Sequence, residues 1–219
     1  MMSGNRTHIV GLQAVALAVL ISACAQAVAQ GGADPHAHHR GTASDSGAAP
    51  GPVEAVELHD QILITQDGEE VRFAAEVIAD YIVVMDFVYT TCTTVCPVLS
   101  AVFSQVQDDL GESLDERVRL VSVSVDPGRD TPERLKNYSG QHGARPGWFW
   151  LTGEKASVDL VLQGLGAFTP NFEDHPSMVL VGDARSGQWT RFFGFPSPKQ
   201  ILTAVGELTE ARQLLAAQN

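Results

Sequence analysis

The sequence predicts an α/β sandwich in which a central mixed sheet is flanked by helices. Apolar runs typical of buried strands alternate with segments whose apolar residues recur at helical spacing. Toward the C-terminus, two strand-like segments separated by a short turn form a hairpin, and a last helical segment follows them. Strands that alternate with helices, followed by a hairpin and a helix, indicate this architecture.

The elements follow in order from Val56, where we expect the folded domain to begin. A short strand ending near Ile64 enters a hairpin turn at residues 66–68, whose sequence Gln-Asp-Gly suits a tight turn. Thr131 and Thr152 are predicted to cap helices. The other strands are predicted at residues 81–88, 118–125, 148–151, 177–181 and 188–193, and the helices at 98–110, from 132, after 152 and at 199–216.

Two cysteines lie in the turn between the central strand and the first helix. Pro97 suits the first helical position because its missing N–H has no helical partner there. We therefore expect Cys96 at or beside the N-cap, where unpaired N–H groups and the helix dipole favour a thiolate. Cys92 and Cys96 are close enough to form a disulfide or to chelate a soft metal. A purely structural disulfide, or two inert buried thiols, is the alternative interpretation.

A dithiol at the end of a central strand, entering a helix, is the arrangement of thioredoxin-like folds. Three residues separate Cys92 from Cys96, whereas two separate the cysteines of thioredoxin-type enzymes. The sandwich is therefore expected to be thioredoxin-like, with a cysteine spacing of its own.

Length and charge restrict the possible partners. The chain has 219 residues and a formal net charge of −12, which argues against nucleic acid and anionic membrane surfaces as partners. Of its three cysteines, only Cys92 and Cys96 fall in the predicted domain, so that domain has one cysteine pair and no spare thiol.

The N-terminus is predicted to be a signal segment, residues 1–23. A basic residue precedes an apolar stretch that is short for a membrane span. The sequence Ile-Ser-Ala-Cys at residues 21–24 resembles a bacterial lipobox, so we expect Cys24 to carry a lipid. Ordinary cleavage after the Ala-Val-Ala at residues 27–29, or an uncleaved anchor, is the alternative. Each places the domain outside the cytoplasm.

Residues 24–55 are predicted to form a disordered tether ahead of the domain at residues 56–219. Small and polar residues dominate this segment, which cannot bury enough apolar surface to offset its ordering entropy. It contains His36, His38 and His39, which can collect Cu(II) or Zn(II) weakly. A solvated polar tract without metal is the alternative interpretation of this cluster.

Four sequence blocks, taken together, resemble the Sco/SenC family. Residues 89–97, Tyr-Thr-Thr-Cys-Thr-Thr-Val-Cys-Pro, look like its CxxxCP signature, and residues 123–133 look like its second block. Residues 150–153 and Asp174-His175 resemble the third and fourth. The blocks occur in the family's order over about residues 56–210. The chain departs from the family pattern at Pro176, which restricts His175 to extended conformations, and at residues 182–185.

The resemblance implies a copper-binding thioredoxin-like domain that helps to build the binuclear copper site of cytochrome c oxidase. By position, Cys92, Cys96 and His175 are the implied ligands. Two thiolates and one imidazole also suit soft Cu(I), although Cu(I), Cu(II) or both remain open. Asp174 is a candidate to orient His175 by a hydrogen bond, with a solvated loop acid as the alternative, and Asp126 is a candidate to line the site.

Two classes of function follow from the resemblance. The first is a metallochaperone that delivers copper to a copper-accepting oxidase subunit, with an upstream copper donor protein as a further partner. The second is a thiol-disulfide reductase that keeps the cysteines of that subunit, or of other envelope proteins, reduced. Only copper delivery needs His175. A peroxidase, which needs one essential cysteine, is a weaker third class. The expected location is the periplasmic side of a bacterial envelope, with Cys24 as the lipid anchor.

Overall fold

The computed structural model describes residues 50–51 and 56–217. The signal segment, Cys24 and the three histidines of the tether lie outside these residues. The strands are β1 (Pro50–Gly51), β2 (Ile62–Thr65), β3 (Glu70–Arg72), β4 (Ile82–Val88), β5 (Val118–Ser124), β6 (Trp148–Thr152), β7 (Met178–Asp183) and β8 (Gln188–Phe193). The α-helices are α1 (Val95–Leu110), α2 (Pro132–Gln141), α3 (Lys155–Gly164) and α4 (Pro198–Ala217).

The strands form one mixed sheet in the order β1-β8-β7-β4-β5-β6-β2-β3. Strand β4 pairs parallel with β5 and antiparallel with β7, so the predicted mixed sheet is confirmed. Every residue of β4 is buried, which explains why all of its residues except Asp86 are apolar. Both predicted hairpins, β2–β3 and β7–β8, are also confirmed.

Helices cover both faces of the sheet. Apolar residues of α1, α2 and α4 pack on one face, and those of α3, together with a short π-helical turn at Phe73–Ile78, pack on the other. The cysteine pair belongs to the first of these two core clusters. In the described part of the chain, no helix is both long enough and apolar enough to span a membrane.

Two predicted helix starts are wrong by a few residues. Helix α1 begins at Val95 rather than near Val98, so Cys96 lies inside its first turn and Thr94 is the N-cap. Thr152 does not cap α3, because it is the last residue of β6 and pairs with Ile64 of β2. Glu154 precedes α3 instead.

Thr131 caps α2 as predicted, since its side chain accepts a hydrogen bond from the Arg134 N–H.

Part of the predicted tether belongs to the sheet. The strand Pro50–Gly51 pairs with β8, although these residues fall in the predicted tether. The rest of that segment lies outside the described residues, so its disorder stays a prediction.

Candidate metal centre

Cys92 and Cys96 meet at the N-terminus of α1 as free thiols. Both are buried, with 7% of Cys92 and 1% of Cys96 exposed. The Cys96 N–H donates a hydrogen bond to Cys92 Sγ over 3.4 Å. The sulfur of Cys92 therefore accepts one of the helix N–H groups that have no partner inside the helix.

The two thiols differ strongly in acidity. Burial raises the pKa of Cys92, but the Cys96 thiol and the N–H groups of Cys96, Thr94 and Val95 hydrogen-bond to its sulfur and lower the pKa to about 7. Burial and the hydrogen bond to Cys92 raise the pKa of Cys96. The thiolate therefore forms at Cys92, and the prediction that the helix N-terminus favours it at Cys96 is wrong. The reason is that α1 begins at Val95, two residues before Pro97, so the free N–H groups at its start face the sulfur of Cys92.

His175 lies at the same end of β4 as the cysteines. A 3-10 turn at Phe172–Asp174 precedes it, and its backbone is extended (φ −62°, ψ 139°), as expected of a residue before proline. Its Nδ1 is 2.7 Å from the carbonyl oxygen of Phe172, and its Nε2 is 3.2 Å from that of Phe87 in β4.

The three predicted ligands are not assembled into a finished site. Within the described residues, no three His, Cys, Asp or Glu side chains are close enough to hold a metal ion. Both ring nitrogens of His175 face main-chain oxygens, so the ring must turn away from one of them to bind a metal. Two thiols and one imidazole fit a soft cation chemically, and the assignment of Cys92, Cys96 and His175 as ligands stays a prediction.

Tyr89 lies between the cysteines and His175. Its carbonyl oxygen accepts a hydrogen bond from the Cys92 N–H over 3.0 Å. Its ring packs edge-on against the rings of Phe172 and His175, with centroids 5.1 Å and 5.6 Å away. Its place at the start of the cysteine block is the one signal for it in the sequence.

The two acidic candidates do not contact the predicted ligands. Asp174 accepts a hydrogen bond from Asn171 Nδ2 over 3.0 Å, whereas both nitrogens of His175 face main-chain oxygens. The expected hydrogen bond from His175 to Asp174 is therefore not formed. Asp126 forms an ion pair with Arg129 over 3.3 Å, and this is the carboxylate contact that the described residues give it.

Asp130 holds the start of the cysteine loop in place. Its carboxylate accepts hydrogen bonds from the Thr90 N–H at 3.2 Å, from Thr90 Oγ1 at 2.5 Å and from Ser124 Oγ at 2.7 Å. Asp130 is only 1% exposed. It thus ties the residue two positions before Cys92 to the end of β5. Its position in the second sequence block was the one signal for it.

Asp86 is a second buried carboxyl, and it was not among the site residues predicted from the sequence. Its Oδ1 accepts a hydrogen bond from Ser122 Oγ over 2.6 Å, and Ser122 Oγ accepts one from Trp148 Nε1 over 3.0 Å. Its Oδ2 has no partner in the described part of the chain. Burial raises the pKa of Asp86 to about 7, and the hydrogen bond from Ser122 only partly opposes this.

Comparison with known proteins gives the same family as the four sequence blocks. The family model described as SCO1/SenC matches residues 58–210. The "SCO1 protein homolog" of Bacillus subtilis (strain 168) is 35% identical over 94 residues, which is 42% of this chain and 47% of that protein. The chain spans about half the length of the curated relatives that it matches first.

Solved structures share the fold. ScoI of Bradyrhizobium japonicum with copper bound is 25% identical, with a TM-score of 0.55 over 74% of this chain and 98% of that one. A SCO1/SenC family lipoprotein from Bacillus anthracis str. Ames is 24% identical, with a TM-score of 0.60 over 73% of this chain and 97% of that one. The predicted thioredoxin-like architecture is therefore confirmed.

Proposed function

Because the chain belongs to the SCO1/SenC family, we propose that it is a copper metallochaperone. It binds copper through Cys92, Cys96 and His175 and delivers it to the binuclear copper site of cytochrome c oxidase. The observation that carries this proposal is the position of two free thiols beside the end of β4, where the imidazole of His175 also lies. Relatives named for copper binding, such as the copper-bound ScoI, support the choice of metal.

The donor set suits a transferable cation. Thiolate is a soft ligand and imidazole a borderline one, a combination that favours Cu(I). Three donors leave one side of the ion open, so a partner's ligand can approach before the last protein donor leaves. The lowered pKa of Cys92 supplies a thiolate near neutral pH, and binding at Cys96 requires loss of its thiol proton. His175 completes the set by turning away from Phe87.

The cellular setting belongs to the same proposal. We place the domain on the periplasmic side of a bacterial envelope, anchored through a lipid on Cys24, as the lipobox-like sequence suggests. The lipoprotein relative from Bacillus anthracis supports an envelope location. The partners are a copper-accepting oxidase subunit and an upstream copper donor protein. His36, His38 and His39 add weak accessory metal binding.

One observation favours a thiol-disulfide reductase as the second candidate. Cys92 combines a pKa of about 7 with a neighbouring thiol that hydrogen-bonds to it, which is the arrangement of an attacking thiolate with a resolving partner. A reductase of this kind attacks a disulfide of the oxidase subunit with Cys92 and releases the product with Cys96. It does not need His175.

A transfer experiment separates the two candidates. Copper-loaded protein is mixed with the isolated copper-site domain of an oxidase subunit, and the copper in each protein is measured after separation. The same recipient, with its copper-site cysteines oxidised to a disulfide, serves to measure reduction. His175→Ala should transfer little copper yet reduce the disulfide at nearly the rate of the wild type. Cys92→Ser and Cys96→Ser should lose both activities.

His59→Ala is the matched control, because His59 is another partly exposed histidine and pairs with Glu57 away from the cysteines. It should behave as the wild type in both assays. If the wild type transfers no copper but reduces the recipient, the reductase is the correct function and the metallochaperone proposal fails.

A further inference from the structure

The contacts of Tyr89 reach both halves of the proposed copper site. Its main chain accepts the Cys92 N–H, and its ring packs against the ring of His175. The same ring packs against Phe172, whose carbonyl oxygen faces His175 Nδ1. Tyr89 also contacts the core clusters on both faces of the sheet. Its position directly after β4 is therefore fixed from several sides.

We propose that Tyr89 is a positioning residue of this site, whose ring holds the loop that carries His175. This inference rests on the proposed function, because it concerns the same cysteine pair and the same histidine. It adds a residue that acts through the ligands rather than on the metal itself.

The ring acts on the histidine loop. Edge-on aromatic contacts restrict the orientation of both rings, and here one tyrosine makes two of them, with Phe172 and with His175. The 3-10 turn between those two residues is short, and its hydrogen bonds are local ones, such as the Asp174 N–H to Asn171. The ring of Tyr89 therefore limits how far His175 can move from the cysteines.

Two substitutions test the role of the ring. Tyr89→Phe removes only the hydroxyl and keeps the ring, whereas Tyr89→Leu removes the ring as well. Tyr81→Phe and Tyr81→Leu are matched controls, because Tyr81 precedes β4 as Tyr89 follows it, roughly 26 Å away along the strand. Tyr81 packs under the guanidinium of Arg119, 3.5 Å from the ring centroid. Urea unfolding establishes that each variant folds before it is assayed.

The role of the ring is tested on the metal-free proteins by hydrogen exchange at residues 171–175. Tyr89→Leu should raise the exchange rate there at least tenfold, whereas Tyr89→Phe and Tyr81→Leu should not. Unchanged exchange in Tyr89→Leu overturns the role of the ring. This readout needs no copper, so a failure of this inference is distinct from a failure of the proposed function, which shows as absence of copper binding by the wild type.

Discussion

Cys92 gains its acidity from main-chain N–H groups and from its partner thiol. Three N–H groups at the start of α1 and the thiol of Cys96 hydrogen-bond to its sulfur, and together they outweigh the effect of burial. Cys96 is more deeply buried, and its thiol donates the hydrogen bond to the sulfur of Cys92. The two cysteines of one short motif therefore have different tasks, with the thiolate at Cys92 and the proton at Cys96.

This difference predicts selective alkylation. In the reduced protein, the rate of modification of Cys92 by iodoacetamide should rise with pH and reach half its maximum at about pH 7. Cys96 should react far more slowly, since its pKa is raised and its side chain is 1% exposed. Peptide mass spectrometry identifies the modified cysteine. Faster modification of Cys96, or a midpoint near the ordinary thiol value of 9.0, would contradict the assignment.

The raised pKa of Asp86 predicts that the free energy of unfolding depends on pH. Its folded pKa of about 7 lies above the ordinary value of 3.8, so the folded protein keeps a proton that the unfolded chain has lost between those values. Its contribution to stability is therefore complete below about pH 4 and declines as the pH rises to about 7. In the disulfide form, which removes the thiol titrations, Asp86→Asn should flatten this decline.

The difference in the free energy of unfolding between Asp86→Asn and the wild type should change by about 2–4 kcal/mol from pH 4 to pH 8. Urea unfolding at both pH values measures it. Asp109→Asn, at an exposed position of α1, is the control and should show no such change. Equal pH dependence of Asp86→Asn and the wild type would be inconsistent with a proton held by Asp86.

At the scale of elements, the loop between β4 and α1 depends on the loop after β5. Asp130 provides the link by accepting hydrogen bonds from the main chain and hydroxyl of Thr90 and from Ser124. Strands β4 and β5 run parallel, so their C-terminal ends bring these two loops to the same edge of the sheet. The cysteine loop is thereby held by a carboxylate far away in sequence.

Asp130→Ala should therefore loosen the cysteine loop. It leaves the donors of Thr90 and Ser124 without their acceptor, which should lower the free energy of unfolding by about 2–4 kcal/mol. Hydrogen exchange at residues 89–92 should rise as well. Asp126→Ala is the control four positions away, because it removes an ion pair with a largely exposed Arg129 and should cost about 1 kcal/mol or less. Similar effects of both substitutions would refute a special role for Asp130.

The sequence predicts elements better than it predicts side-chain contacts. Apolar periodicity indicates β4, α1 and both hairpins, because burial on one or two faces leaves a local pattern. The cap predicted at Thr152 was wrong because the pairing of this residue with β2 is a non-local contact. The acidity of Cys92 depends on where α1 starts, and the predicted start at residue 98 differs from the observed start at Val95 by three residues. The links from Asp130 to Thr90 and from Tyr89 to His175 depend on sheet order, which no local pattern encodes.

At the scale of the whole molecule, sheet topology explains how His175 reaches the cysteines. Strand β7 is antiparallel to β4, and Val179 near its start pairs with Asp86 near the end of β4. The residue that precedes β7 by a short loop therefore arrives at the edge from which the cysteine turn leaves. His175 Nε2 lies 3.2 Å from the carbonyl oxygen of Phe87 for this reason. Copper binding then needs a local turn of the ring rather than a rearrangement of the sheet.

The most direct test of this account is the Cu(I) affinity of the reduced protein, measured by competition with a Cu(I) chelator for the wild type, His175→Ala and the control His59→Ala. We expect His175→Ala to bind Cu(I) about 10–100-fold more weakly, the scale of loss seen when support for a metal site is removed. His59→Ala should match the wild type. If His175→Ala binds Cu(I) as tightly as the wild type, His175 is not a ligand, and the reductase function takes precedence over copper delivery.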